Sequence, residues 1–280
     1  TLPPPASAPR QQPLLDSPQL VEHVAEVRLN RPDKSNAMNE AMWQEIRQAF
    51  DWVDATPGAR VAILSGEGKN FCAGIDLAML AGIQQQIAHA DGARSREALR
   101  RLILDLQDCL SAIERCRKPV IAAIQGACVG GALDLVSCCD MRYAAGDAVF
   151  SIKEIDLGMV ADVGTLQRLP RLIGEGMTRE LAYTGRTVGA DEAARLGLIN
   201  SNFGDFSRLT AEVRAIAQTI AAKSPLAIRG TKDVLNYSRD HSIADGLNYV
   251  AGWNAAMLLS GDLNECIAAQ REKRAPRFDN

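Results

Sequence analysis

The sequence is poor in aromatic residues, in histidine and in long apolar runs. Aromatic residues make up only 5% of the 280 residues, so a core must be built mainly from Ala, Val, Ile and Leu. The three histidines, His23, His89 and His241, lie far apart in sequence, so we expect no metal site. No uninterrupted apolar stretch reaches the roughly 18 residues of a membrane-spanning helix, so we expect no membrane partner.

Paired cysteines and excess basic charge are also lacking. The seven cysteines are odd in number and contain no CxxC pair, which excludes a disulfide framework and indicates free thiols in a reducing compartment. The formal net charge of −3 argues against a nucleic acid partner, because a phosphate lattice is bound by basic surface. A small anionic ligand stays compatible with this charge, since a local cluster of Arg and Lys can outweigh a weakly negative total.

Apolar periodicity predicts an α/β chain in three parts. Strands are predicted at 21–30, 60–65, 119–125, 141–144 and 148–151, and helices at 39–53, 101–116, 130–139, 209–222, 225–237 and 242–274, the last with one Gly-Asp break at 261–262. Strands that recur between helices indicate parallel pairing in a core over 19–205. The all-helical remainder, 206–280, is interpreted as an oligomerisation element or a lid. The Pro-rich segment 1–18 is predicted to be a mobile arm, because proline removes backbone donors.

Two glycine-containing loops each follow a predicted buried strand. They are NFCAGIDL at 70–77 and GACVGGA at 126–132. Glycine lets backbone N–H groups approach a ligand closely, so the two loops could aim two amides at one oxygen, as in an oxyanion hole. On spacing alone, the alternative that these glycines only permit tight turns is favoured.

Acidic residues occur in unexpectedly apolar surroundings. Glu154, Asp156 and Asp162 are interleaved with Leu, Met, Val and Gly, and Asp134 lies in a helix otherwise suited to burial. A desolvated carboxyl has a raised pKa, which suits it to proton transfer. Surface charge or helix capping is the alternative, and we accept it for Asp156. Asp134 is expected to cap a backbone group, pair with a buried cation or face a pocket.

Four segments in this order resemble the enoyl-CoA hydratase/isomerase (crotonase) superfamily. They are LNRPDKSNAM at 29–38, FCAGIDL at 71–77, KPVIAAIQGACVGGALDL at 118–135 and TLQRLPRLIG at 165–174. More narrowly, KEIDLGMVADVGTLQRLP at 153–170 and SRDHSIADGLNYVAGWN at 238–254 resemble the Δ3,5-Δ2,4-dienoyl-CoA isomerases. The resemblance implies a crotonase-type spiral of β-β-α units with a helical C-terminal trimerisation region, assembled as a trimer or as a hexamer of two trimers.

The resemblance also implies roles at matching positions. The backbone amides of Ile75 and Gly131 would form an oxyanion hole for a thioester carbonyl. Asp134 and Glu154 occupy the positions of two hydratase glutamates, and the shorter Asp134 puts hydratase geometry in doubt. Asp162 stands where hydratases carry a small uncharged residue and dienoyl-CoA isomerases carry aspartate.

Coenzyme A contacts are implied in the same way. Arg31, Lys34 and Lys273 are candidates for its phosphates, with Lys273 reaching the ligand of a neighbouring subunit. Ala73 and Asp76 belong to the loop that shapes the adenine pocket through its backbone. For Arg31, Lys34 and Lys273 the alternative is that they are ordinary solvated side chains on the surface.

The resulting expectation is isomerisation of 3,5-dienoyl-CoA to 2,4-dienoyl-CoA in unsaturated fatty-acid β-oxidation. Glu154 would act at C2 and Asp162 at C6, with no cofactor besides the coenzyme A of the substrate. Two alternatives stay open: an enoyl-CoA hydratase in which Asp134 and Glu154 activate water, and a non-catalytic acyl-CoA-binding protein of the same fold. A bacterial cytoplasmic location is expected, with a trimmed mitochondrial or peroxisomal form as the alternative.

Overall fold

Strands and helices alternate along most of the chain in the computed structural model, which describes residues 15–280. The strands are β1 (Leu15–Val21), β2 (Val24–Leu29), β3 (Val61–Gly66), β4 (Val120–Ile124), β5 (Ala127–Val129), β6 (Met141–Ala145), β7 (Val149–Ser151), β8 (Val188–Gly189) and β9 (Ser201–Phe203). The helices are α1 (Glu40–Ala55), α2 (Leu77–Gln86), α3 (Gly92–Arg115), α4 (Gly131–Ser137), α5 (Thr165–Ile173), α6 (Glu175–Thr184), α7 (Ala190–Leu196), α8 (Phe206–Ala221), α9 (Pro225–Arg239), α10 (Ile243–Met257) and α11 (Gly261–Glu272). Short 3-10 turns lie at Pro32–Lys34 and Glu154–Leu157.

The strands form two sheets. The larger sheet has the order β1-β2-β3-β4-β6-β9, in which only β1 pairs antiparallel with its neighbour. The smaller sheet has the order β5-β7-β8. The chain passes from β4 to β5 and from β6 to β7 within a few residues, so each long strand is followed by a short one in the second sheet. Strand β4, strand β5 and helix α4 therefore make one β-β-α unit, and the α/β class is confirmed.

Alternating side chains of the large sheet fill two different cores, because successive residues of a strand point to opposite faces. On one face, Val61 and Ile63 of β3 pack with Leu209 and Val213 of helix α8. On the other face, Ala62 and its neighbours belong to the main core with helices α1 and α3. Helix α8 thus covers the sheet, although it begins the region 206–280 that the sequence assigns to oligomerisation.

Buried cations occupy the edge of the large sheet where its parallel strands begin. Lys118, 2% exposed, precedes β4, and its Nζ donates to the carbonyls of Val53, at 2.9 Å, Asp54 and Thr56, at 3.2 Å. Arg60, which precedes β3, donates from Nη1 to the Ala221 carbonyl at 3.0 Å. These carbonyls lie at the C-terminal ends of α1 and α8, where helices leave acceptors unpaired.

Several boundaries differ from the sequence predictions. The arm predicted for 1–18 lies mostly outside the described residues, and its residues from Leu15 onward belong to strand β1. Helix α3 begins at Gly92 rather than near 101, because Asp91 caps it by accepting from the Ala93 amide at 2.8 Å. The break predicted at 261–262 in the helical tract 242–274 falls a few residues earlier, between Met257 and Gly261, and Ser260 caps the second helix.

Replacing Lys118 with Met should lower the free energy of unfolding by about 2 kcal/mol or more, because buried carbonyls lose their donor. Urea denaturation followed by circular dichroism measures the change. Lys223→Met is the control, because Lys223 is exposed and makes no side-chain hydrogen bond within the described chain. Equal stability of the two variants would contradict this role for Lys118.

Candidate active site

The loop that follows β3 lies beside the second glycine segment, 126–132, which in the structure contains strand β5 and the first residues of α4 rather than only a loop. Cys72 and Cys128 form a parallel bridge in which the Cys72 amide donates to Ala127 at 2.9 Å and the Val129 amide donates to Cys72 at 3.2 Å. The sequence alone left open whether these loops meet. The structure brings them together through backbone hydrogen bonds.

Glycine at two positions permits the close approach. Gly74 has a φ of +90°, and a Cβ on it would lie 2.6 Å from the Val129 carbonyl oxygen and 3.2 Å from the Gly131 nitrogen. A Cβ on Gly131 would lie 3.6 Å from the Ile75 nitrogen. The amides of Ile75 and Gly131 are therefore close neighbours, and within residues 15–280 neither donates a hydrogen bond. Two adjacent unpaired amides can stabilise one oxyanion.

A buried asparagine holds the first of these loops in place. The Nδ2 group of Asn36, fully buried, donates to the carbonyls of Glu67 and Asn70, each at 2.9 Å, and of Phe71 at 3.1 Å. Its Oδ1 accepts from the Arg31 amide at 2.7 Å. The sequence analysis assigned no role to Asn36, although it lies within the segment 29–38 that carries the family resemblance.

Glu154 lies directly against the second loop. A Cβ on Gly130 would lie 3.2 Å from Glu154 Oε1, so only glycine leaves room for this carboxyl. Glu154 Oε2 is buried and has no hydrogen-bond partner among the described residues. Burial raises the pKa of Glu154 to about 7, and the nearby charges of Asp134 and Asp162 add to the rise. A carboxyl with a pKa near neutrality can both take up and release a proton at physiological pH.

Asp134 is fully buried on helix α4. Its Oδ1 accepts from the Thr165 amide at 2.5 Å, so it caps the first residue of helix α5. Its Oδ2 is buried and has no partner within the described chain. Burial raises the pKa of Asp134 to about 6, although the Thr165 hydrogen bonds oppose the rise. Of the three expected roles, backbone capping is the one that the structure shows.

Asp162 lies on the loop between the Glu154–Leu157 turn and helix α5. The residue is exposed at the wall of a cavity of about 720 Å³, which Gln107, Gly164 and Arg168 also line. Desolvation by the surrounding protein raises the pKa of its carboxyl. Its charge raises the pKa values of both Asp134 and Glu154, so the three carboxyls lie within electrostatic reach of one another. In the part of the chain that the structure describes, none of the three forms a salt bridge.

Two further residues near these carboxyls were missed by the sequence analysis. Gln107 on helix α3 donates from Nε2 to the Asp162 carbonyl oxygen at 2.6 Å. Arg168 pairs with Glu114 at 2.9 Å, and its positive charge lowers the pKa of Asp134. Both contacts join residues more than fifty positions apart, and no local sequence pattern indicates them.

Four of the five predicted coenzyme A contacts share one surface. Arg31 pairs with Asp76 at 2.5 Å, and hydrogen bonding from Arg31 holds the pKa of Asp76 below its usual value. Lys34 and Ala73 are exposed beside this pair. Lys273 lies just beyond α11, is exposed, and makes no hydrogen bond or salt bridge to the other four within the described residues.

Within residues 15–280 no group of three His, Cys, Asp or Glu side chains is placed to hold a metal ion. The seven cysteines are free, and all except Cys266 are buried. None of the helices of the described chain combines the length and apolarity that crossing a bilayer requires.

The sequence matches the enoyl-CoA hydratase/isomerase family over residues 20–280. The chain belongs to this family. It is 52% identical over 251 residues to the peroxisomal Delta(3,5)-Delta(2,4)-dienoyl-CoA isomerase of Arabidopsis thaliana, with 89% of this chain and 90% of that protein covered. The mitochondrial Delta(3,5)-Delta(2,4)-dienoyl-CoA isomerase of Homo sapiens is 47% identical, with 90% and 77% covered. Among solved structures, enoyl-CoA hydratase from Bacillus anthracis matches with a TM-score of 0.84 at 32% identity, over 95% of this chain and 98% of that chain.

These likenesses confirm the family and the fold that the sequence predicted. The spiral of β-β-α units with a helical C-terminal region is the fold of this enoyl-CoA hydratase/isomerase family member. The names of the Arabidopsis and human relatives place those proteins in peroxisomes and mitochondria. The predicted bacterial cytoplasmic location therefore receives no support from them.

Replacing Asp134 with Asn should lower the pKa of Glu154 from about 7, because the charge of Asp134 contributes to the rise. Asn keeps an oxygen for the Thr165 amide, so the capping bond is retained. Carbon-13 NMR titration of labelled glutamate carboxyls measures the change, and Glu154→Gln identifies the signal. Asp156→Asn, at an exposed position paired with Lys153, should leave the titration unchanged. An unchanged or raised Glu154 pKa in the Asp134 variant would contradict the coupling.

Proposed function

We propose that this chain is a Δ3,5-Δ2,4-dienoyl-CoA isomerase that acts in unsaturated fatty-acid β-oxidation. The observation that carries the proposal is a set of three carboxyls without cation partners beside two unpaired backbone amides. The names of the two relatives at 52% and 47% identity support this reaction over simple hydration. Their peroxisomal and mitochondrial names also favour an organelle over a bacterial cytoplasm.

The amides of Ile75 and Gly131 hold the thioester carbonyl oxygen. Charge that develops on this oxygen when C2 loses a proton is stabilised by both donors, and one such donor typically contributes roughly a hundredfold or more in rate. Glu154, which lies against Gly130, is placed to take the C2 proton. Its raised pKa makes it a stronger base than an ordinary carboxylate.

Asp162 completes the reaction at the other end of the diene. The electron pair of the broken C2–H bond forms C2=C3, the C3=C4 pair moves to C4=C5, and the C5=C6 pair takes a proton at C6. The protonated Asp162 carboxyl donates that proton, and desolvation favours its protonated form. Because Asp162 is exposed, it recovers a proton from solvent, while Glu154 releases the one from C2. Both transfers are completed by carboxyls, so we propose that no cofactor takes part.

The coenzyme A portion of the substrate is proposed to follow the surface of Lys34, Ala73 and the Arg31–Asp76 pair. The pairing of Arg31 with Asp76 leaves Lys34 as the freer cation for a phosphate on this surface. Lys273 is proposed to bind the ligand of a neighbouring subunit. Within the described residues it makes no hydrogen bond or salt bridge to Arg31, Lys34, Ala73 or Asp76.

A trimer, or a hexamer of two trimers, is proposed for the assembly. Helices α9 to α11 and their connections expose large apolar side chains, which favours burial against another copy. The most exposed are Leu235 (66%), Leu247 (63%), Ile243 (84%) and Leu259 (92%).

Asp162→Asn should lower isomerase activity by about a hundredfold or more, which is the usual contribution of a positioned acid. The assay supplies 3,5-dienoyl-CoA and follows the ultraviolet absorbance of the conjugated 2,4-product. Asp156→Asn is a matched control in the same segment, because Asp156 is exposed and pairs with Lys153. An unimpaired Asp162 variant would contradict proton donation by Asp162 at C6. Native protein that hydrates 2-enoyl-CoA and forms no 2,4-product would replace the isomerase with the hydratase that uses Asp134 and Glu154.

Gly74→Ala should lower kcat/KM for 3,5-dienoyl-CoA by about a hundredfold. The added Cβ would meet the Val129 carbonyl at 2.6 Å in a left-handed backbone conformation, so the Ile75 amide must move. Gly176→Ala is the control, because a Cβ on Gly176 meets no atom within 4 Å. Circular dichroism checks that both variants fold. Full activity of Gly74→Ala would show that Ile75 is not an oxyanion donor.

A further inference from the structure

The loop that carries Asp162 is held by few polar contacts. Between residues 160 and 164, no backbone amide donates a hydrogen bond to another residue of the described chain. Ala161 and Val163 anchor the loop through their buried side chains. At its end, the Thr165 amide donates to Asp134. Among the described residues, Gln107 is the one side chain that bonds to Asp162 from outside the loop: its Nε2 donates to the Asp162 carbonyl oxygen at 2.6 Å.

Gln107 projects from a firmly packed helix. Its neighbours on α3, Leu106 and Leu110, are buried in the main core, where α3 packs against α1. The hydrogen bond therefore ties a loop with few internal bonds to a rigid element. Because the bond is to the backbone of Asp162, it fixes the point from which the catalytic side chain extends.

We propose that Gln107 is a positioning residue for proton delivery at C6. The inference rests on the proposed function, in which Glu154 acts at C2 and Asp162 at C6. Misplacement of a reacting group by about 1 Å can cost about a hundredfold in rate, so loss of the Gln107 bond slows C6 protonation. Removal of the C2 proton is not slowed, because Glu154 is held by a different part of the chain, against Gly130.

The test separates the two proton transfers. Native protein, Gln107→Leu and Gln107→Glu are given 3,5-dienoyl-CoA in deuterium oxide, and both the 2,4-product and deuterium at C2 of recovered substrate are measured. The expected result for both variants is a product rate that is about 10- to 100-fold lower with C2 exchange retained, so that the ratio of exchange to product rises. Gln218→Leu is the matched control, because its amide bonds to Glu22 on the surface at 2.8 Å.

A double variant tests the route through Asp162. If Gln107 acts only by placing Asp162, adding Gln107→Leu to Asp162→Asn lowers the product rate no further. Three results would each overturn the proposal. They are fully additive losses of product rate in the double variant, unchanged product formation in both Gln107 variants, and an equal loss of product formation and C2 exchange. Failure of the native protein to form any 2,4-product is a different result, and it would overturn the proposed function itself.

Discussion

Keeping three carboxyls close together without a cation is the constraint on which this structure depends. A buried unpaired charge is costly, so such a group shifts its pKa or requires compensating contacts. Asp134 receives one contact, the Thr165 amide, and Glu154 leaves an oxygen without any within the described chain. Both have raised pKa values. The raised pKa values let protons neutralise part of this charge, which lowers the cost of keeping the carboxyls together.

Two of the buried cations, Lys118 and Arg60, lie at the edge of the large sheet opposite the glycine loops. Lys118 and Arg60 precede parallel strands of the large sheet, whereas the glycine loops follow such strands or the short strands joined to them. Each of these cations is satisfied by carbonyl oxygens at helix C-terminal ends. Arg168 is the cation whose charge acts on Asp134, and its guanidinium is already paired with the carboxylate of Glu114. Desolvation by burial is the largest cause of the raised pKa values of Asp134 and Glu154.

How much of the fold and of the site can be predicted from the sequence depends on how far apart in the chain the contacting residues lie. The alternation of strands and helices gave the α/β class, and four ordered segments gave the spiral fold. Glu154 and Asp162 were selected because apolar neighbours surround them in the chain, which is a local signal. The contacts of Gln107 with Asp162 and of Thr165 with Asp134 span 55 and 31 positions. Such contacts arise only when the fold is complete, so no periodicity predicts them.

Apolar periodicity and composition also misplaced helix ends where a single capping residue sets the boundary. The stretch 81–100 is weakly periodic, yet α3 begins at Gly92 because Asp91 supplies a cap. The Gly-Asp pair at 261–262 predicts a break in the tract 242–274, and the break falls a few residues earlier because Ser260 caps α11. A cap contributes about 1 kcal/mol, which is enough to move a helix end but too little to alter an apolar pattern.

Glu154 and Asp162 differ in exposure, as the proposed roles of base and acid require. Glu154 is half-buried, with one oxygen shielded from solvent and a pKa near 7, so a small shift in its surroundings changes its protonation. Asp162 reaches solvent at the cavity wall, which gives it a route to a fresh proton after each turnover. Because the carboxyls interact, their protons belong to the group rather than to one residue, and loss of a proton from one favours its retention by another. A hydratase needs two carboxyls around a water. In the proposed reaction the third carboxyl, Asp162, extends proton transfer beyond C2 and C3, and its backbone carbonyl accepts a hydrogen bond from Gln107 of α3.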